Sequence, residues 1–205
     1  MWTRTHLVTP QRLVRSGNFR GLGPVALVTF VVLSAGLGAC SGDPFAFPWA
    51  ADPDTVLLYS LARPELNLEA AYDFHNDLRI RVERAGATGN WDVALDTRDG
   101  QLVLLPPGAL GITSKASVAV LPGVSFADVL DAPEDTAAYS RVAPVVVEMA
   151  TVYVVKTSQS PGIFGNSCSY YAKLEPLVID VEGGTLTFVV DASPVCNSLR
   201  LIPPD

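Results

Sequence analysis

The chain has 205 residues, of which 14 are Lys or Arg, 21 are Asp or Glu and 2 are His, for a formal charge of −7. With 49% hydrophobic and 17% charged residues, it has enough apolar side chain to fold, which excludes a disordered chain. The acidic balance argues against a nucleic-acid partner, because phosphate neutralisation needs clustered Lys and Arg. Three cysteines are too few for a disulfide-dense mini-protein.

The first forty residues read as an address. Arg4, Arg12, Arg15 and Arg20 precede any acidic residue, and an apolar run follows over residues 24–39, PVALVTFVVLSAGLGA. Sixteen helical residues would rise about 24 Å, short of the ~30 Å hydrocarbon core of a bilayer. A basic stretch, a short apolar stretch and small residues at its end are the pattern of a secretory signal peptide, here residues 1–39. Leu37-Gly38-Ala39-Cys40 resembles the bacterial lipobox. That resemblance implies cleavage before Cys40 and palmitate-type acylation of it, and Gly38 is a less usual residue at its position. The competing reading of Cys40 is an ordinary buried cysteine closing a core helix; the Arg-rich start and the linker that follows favour the signal. More than one acyl chain gives stable anchoring without a transmembrane helix. Ser41 lacks the Asp that retains lipoproteins in the inner membrane of some Gram-negative bacteria. The expected location is therefore the cell envelope, lipid-anchored, at the outer membrane in a Gram-negative host.

Residues 40–54 form a tether with Pro44, Pro48 and Pro53, which favour extended chain. Its Phe45, Phe47 and Trp49 are expected to pack on the domain or sit near headgroups, with gripping a ligand as the less common alternative. Residues 55–205 suit one domain. Its periodicity is mostly two, so strands are expected at 55–61, 78–84 and 116–120, with a turn or two of helix at 66–74 and one turn at 125–130. A hairpin is expected at 91–97 and 101–105, turning on Asp99-Gly100. A long Val-rich strand is expected over 145–155. A second hairpin is expected at 177–181 and 185–190 around Glu182-Gly183-Gly184, with Leu177, Ile179 and Val181 on one face and Val178 and Asp180 on the other. With 16 Pro and 16 Gly spread along the chain, the expected class is all-β, a single antiparallel β-sandwich or open barrel.

After cleavage, Cys168 and Cys196 remain beside the lipidated Cys40. In an oxidising compartment such a pair is expected to bridge. A redox or metal pair lacks both CxxC spacing and a nearby His. A Ser-His-Asp hydrolase is disfavoured by the single mature His and the missing G-x-S-x-G elbow. The carboxylate pairs Asp96/Asp99 and Asp73/Asp77, which a glycosidase could use, are commonplace in turns. No Ca²⁺ loop, P-loop or dinucleotide fingerprint occurs, so no enzymatic activity is expected.

Several segments in order resemble the HmuY-like family of bacterial haem-binding lipoproteins. They are Asn90-Trp91-Asp92-Val93-Ala94-Leu95; Phe126-Ala127-Asp128-Val129 with Ala132-Pro133-Glu134-Asp135-Thr136 and Tyr139; Val152-Tyr153-Val154-Val155-Lys156-Thr157; Tyr171-Ala172-Lys173-Leu174; and Thr185-Leu186-Thr187-Phe188. The resemblance spans about residues 55–192. It implies an all-β fold and haem capture for delivery to a receptor. The chain departs from the family pattern in residues 158–169, SQSPGIFGNSCS, and in its ligands. The family's haem binders hold iron with paired His or Met, whereas the mature chain has only His75 and Met149. These are the candidate axial ligands, although a Met among apolar neighbours usually fills core gaps and a His in a polar segment is usually solvated. Tyr170 and Tyr171 are further candidate ligands, more commonly packing residues. The alternative function is a structural or adhesive envelope lipoprotein that binds a protein or glycan partner without haem.

Overall fold

The computed structural model describes residues 49–162 and 165–204. The expected signal peptide, the lipobox Leu37 to Cys40, and Phe45 and Phe47 of the tether lie outside the described residues. The domain is all-β and every strand pairing is antiparallel. Thirteen strands run in chain order: β1 Asp54–Tyr59, β2 Ala71–Asp73, β3 Leu78–Ile80, β4 Val93–Arg98, β5 Gln101–Leu105, β6 Ser117–Pro122, β7 Tyr139–Ser140, β8 Val145–Val146, β9 Thr151–Lys156, β10 Ser160–Pro161, β11 Ser167–Cys168, β12 Tyr171–Asp180 and β13 Thr185–Ala192. They form a six-stranded sheet, β1-β13-β12-β9-β6-β7, a five-stranded sheet, β3-β2-β4-β5-β8, and the β10–β11 pair.

Alternation explains the layering. Along a strand successive side chains point to opposite faces. Val56 and Leu58 of β1, Tyr153 and Val155 of β9, Ala172 and Leu174 of β12, and Leu186, Phe188 and Val190 of β13 face inward. They meet Tyr72, Val93, Leu95, Leu102 and Leu104 from the five-stranded sheet in one core. The residues between them feed two outer clusters. Val152, Val154 and Tyr171 pack under Val129, Ala132 and Leu201 on the back of the large sheet. Trp91, Ala94, Val103 and Leu105 do the same on the back of the small one. Both faces of each sheet are therefore partly covered, and the runs Val152 to Val155 and Leu102 to Leu105 are apolar at every position.

The hairpin at Asp99-Gly100 forms as expected. Arg98 pairs with Gln101, and both turn residues have positive φ, 51° and 75°, the geometry of a type I′ turn that matches strand twist. The β12–β13 hairpin also forms, but its first arm does not alternate as read. A bulge between Pro176 and Val178 leaves Leu177 without a cross-strand partner, and Leu177 and Val178 are both exposed. An extra residue in one strand shifts the phase of everything beyond it.

Three other expectations are corrected. The helix at 66–74 is absent; its second half is the short strand β2, paired on both sides by β3 and β4. The strand at 78–84 ends at Ile80. The long strand at 145–155 is two strands in different sheets: β8 pairs with β5, and β9 lies between β6 and β12. The chain crosses between sheets through Ala150, whose φ is 54°. Tyr153 secures this crossing from inside the core. Its hydroxyl donates to the Val146 carbonyl at 2.8 Å and accepts from the Glu148 N–H at 2.7 Å. The turn at 125–130 is present as a 3₁₀ turn, Phe126–Asp128.

Candidate functional site

The β2–β3 connection presents His75 at one end of the sandwich, and local hydrogen bonds hold it. Asp73 Oδ1 accepts from the backbone N–H groups of His75 and Asn76, both at 3.1 Å, and Asp73 Oδ2 accepts from Asn76 Nδ2 at 2.7 Å. This is the turn-forming use of a short acidic side chain. The Tyr72 hydroxyl donates to Asp77 across the same turn. Burial and the neighbouring carboxylate push that phenol well above its ordinary range.

Asp92 anchors the turn from below. Its side chain is almost wholly inaccessible, at 1%. It accepts from the Phe74 N–H at 3.0 Å, the Ser158 N–H at 2.7 Å and the Ser158 hydroxyl at 3.0 Å. One carboxylate thus ties the β2–β3 turn to the segment leaving β9. Desolvation pushes the Asp92 carboxyl up to about 6, and the three donors only partly oppose it. Buried polar groups need such partners because an unpaired one costs several kcal/mol or about that order.

The ring of His75 stacks on Tyr170, with centroids 3.9 Å apart and planes 10° from parallel. Tyr170 is itself pinned. Its N–H donates to Thr157 Oγ1 at 2.8 Å. The Cys168–Cys196 disulfide closes just before it, with Cα atoms 5.1 Å apart. Asn197 adds a second tie, donating from its backbone N–H to the Ser169 carbonyl at 2.8 Å and accepting the Ser169 N–H at 2.9 Å.

His75 lines two clefts. One of about 360 Å³ is walled by Trp49, Tyr72, Phe74, Asp54 and residues 190–194. Trp49 therefore lies against the domain, in a cleft wall, rather than apart from it. The other cleft, of about 720 Å³, is lined by polar groups such as Asn76, Asn90, Ser158 and Gln159, by Lys115 and Arg141, and by the apolar Leu78 and Ile80. A third depression of about 280 Å³ shares Lys115, Arg141 and Gln159 with it and continues past Lys156 and Tyr171. The last two together form a groove along the ends of β6, β7 and β9.

Met149 is not in the core. It is 55% exposed in the link between β8 and β9, before Thr151, whereas His75 lies beside residues 157–158 that follow Lys156. The six residues of β9, about 17–20 Å of strand, separate the two, so the structure does not bring this pair together. Tyr171 is buried in the outer cluster, a packing residue as read. Three of the four carboxylates weighed for glycoside hydrolysis have local partners: Asp96 accepts from Thr97 N–H and Arg98 Nε, and Asp73 and Asp77 serve their own turn; Asp99 is a residue of the hairpin turn. Among the described residues there is no group of three or more His, Cys, Asp or Glu placed to hold a metal ion.

Sequence reasoning did not single out Asp92 or Lys173 as buried charges, nor the cations of the groove. The signal for Asp92 was a charged residue inside an otherwise apolar strand entry, Trp91-Asp92-Val93. Compared with known proteins, the chain matches no family model and no curated protein.

Proposed function

We propose that the chain is an envelope lipoprotein, anchored through lipid on Cys40, whose β-domain is a HmuY-like ligand-binding module. The lipobox and its Arg-rich leader support the anchor. The ordered segments around Trp91, Phe126, Val152, Tyr171 and Thr185 support the kinship. The observation that carries the binding role is His75, held by Asp73 and stacked on Tyr170 in the wall between two clefts. An imidazole nitrogen is a haem-iron ligand, and this reading of haem capture uses His75 alone and makes no use of Met149.

Titration with hemin tests this. The wild type and Met149→Ala are expected to give the same Soret shift, and His75→Ala to lose it. No shift in the wild type removes haem as the ligand. The polar groove beside His75 favours one second reading, an adhesive lipoprotein that binds a glycan partner without haem. That reading predicts retention on immobilised envelope glycans with no hemin response.

A further inference from the structure

The ten basic residues of the mature chain face 21 acidic ones, since residues 1–39 carry four Arg and no acid. Arg63, Arg79 and Arg98 pair with Glu65, Glu69 and Asp96, and the other seven cations have no carboxylate within 4 Å among the described residues. What sets Lys115, Arg141 and Lys156 apart among those seven is convergence: all three line one groove.

The sheet explains their convergence. Ser117 pairs with Lys156, and Lys156 with Tyr171. Lys115 precedes Ser117 by two residues, and Arg141 directly follows β7, the neighbour of β6. The cations thus come from three adjoining strand ends. Two are held in place: Arg141 Nη2 donates to the Ser114 carbonyl at 2.8 Å, leaving other guanidinium N–H groups free, and Lys156 lies 5.7 Å from the Tyr171 ring centroid. The acids on the same walls are Asp73, committed to its own turn, and Glu134, which stands off from all three.

Three cations against two acids, one of them engaged in its own turn, leave the groove with an excess of positive charge, which concentrates anions. Arg binds carboxylate or sulfate through paired N–H donors, and Lys acts as a point charge. The rest of the lining mixes hydroxyls and amides, among them Asn76, Asn90, Ser158 and Gln159, with apolar Leu78, Ile80 and Pro161, a combination suited to the hydroxyls and the apolar face of a sugar ring. We infer that this groove binds an acidic oligosaccharide, its carboxylate or sulfate groups meeting Lys115, Arg141 and Lys156. This deepens the glycan reading above and rests on it, but needs neither haem nor His75.

The full chain, purified in detergent, would be titrated calorimetrically with trigalacturonic acid, a heparin tetrasaccharide and a sialic acid trimer. Fully methyl-esterified trigalacturonate and citrate serve as controls. The expected result is binding of at least one acidic oligosaccharide, weakened fivefold or more in each of Lys115→Gln, Arg141→Gln and Lys156→Gln, and weakened by added salt. The unchanged melting curve of the exposed Lys115 and Arg141 variants would confirm that they fold. Binding of none of the three oligosaccharides, equal binding of the neutral ester or of citrate, or indifference to all three substitutions would overturn the inference. Retention of the full chain on immobilised envelope glycans, with none of the acidic oligosaccharides bound, would overturn this inference and leave the glycan reading standing; absence of retention would overturn both.

Discussion

Lys173 Nζ donates to the carbonyl of Phe126 at 2.8 Å and lies 4.6 Å from the centre of the same residue's ring. It also donates to the Val129 carbonyl at 2.9 Å. Two residues on along β12, Glu175 accepts the Phe126 N–H at 3.0 Å. Two charged side chains on one face of a strand thus grip both ends of a 3₁₀ turn, whose backbone groups would otherwise lack partners. Burial holds the Lys173 ammonium below its ordinary range, and Asp191 opposes that.

Lys173→Met keeps the length of the side chain and removes the donor. Two carbonyls then lose their partner, at a cost of about 1–3 kcal/mol. Denaturant unfolding should show a lower midpoint, and hydrogen exchange should quicken locally around residues 126–132. Unchanged stability would mean that water replaces the ammonium.

Asp92 gives the fold a defined pH response. Its carboxyl ionises near 4 in the unfolded chain and at about 6 in the folded one. The native state therefore holds more protons between those values, so this residue's contribution is greatest below about pH 4 and declines as pH rises through 6. The stability difference between wild type and Asp92→Asn should shift against the wild type by up to about 3 kcal/mol across that window, then level off. A difference that is flat from pH 4 to 7 would contradict the assignment.

Tyr153→Phe removes one hydroxyl from a fully buried site and leaves the Val146 carbonyl and Glu148 N–H unpaired. A loss of roughly 1–3 kcal/mol is expected, with faster exchange of the Glu148 amide. The effect should exceed that of a surface substitution such as Val178→Thr, at an exposed residue that belongs to none of the three apolar clusters.

The Cys168–Cys196 bridge spans 28 residues of sequence and encloses the β12–β13 hairpin. Loop-closure entropy assigns it about 3.5 kcal/mol. The Cys168→Ser/Cys196→Ser variant should unfold at lower denaturant by that order. The fluorescence of Tyr170, whose neighbours the bridge fixes, should change in the native state as well.

Cys40→Ser tests the anchor. Labelled fatty acid should enter the wild type and not the variant, and the variant should leave the detergent phase. Label retained on the variant would refute the lipobox reading.

Local features were legible in the order of residues. Alternation in 185–190 and the Asp99-Gly100 pair located two hairpins, because side-chain phase and turn geometry are properties of a few neighbouring residues. The cysteine pair was legible from compartment and number. What the sequence did not carry was which strand pairs with which. The Val-rich run 145–155 looks continuous, yet Val145 joins one sheet and Val152 the other, and only their partners Leu104 and Leu121, distant in sequence, decide that. His75 and Met149 were both visible as rare residues, and only the course of β9 set them apart. The same holds for charge. Asp92 is buried because donors arrive from Ser158, 66 residues away, and Lys173 because carbonyls arrive from 44 and 47 residues away. Three lysine and arginine side chains share a groove because three strand ends lie side by side. A residue's type fixes its chemistry; the partners that make that chemistry stable or useful come from the rest of the fold.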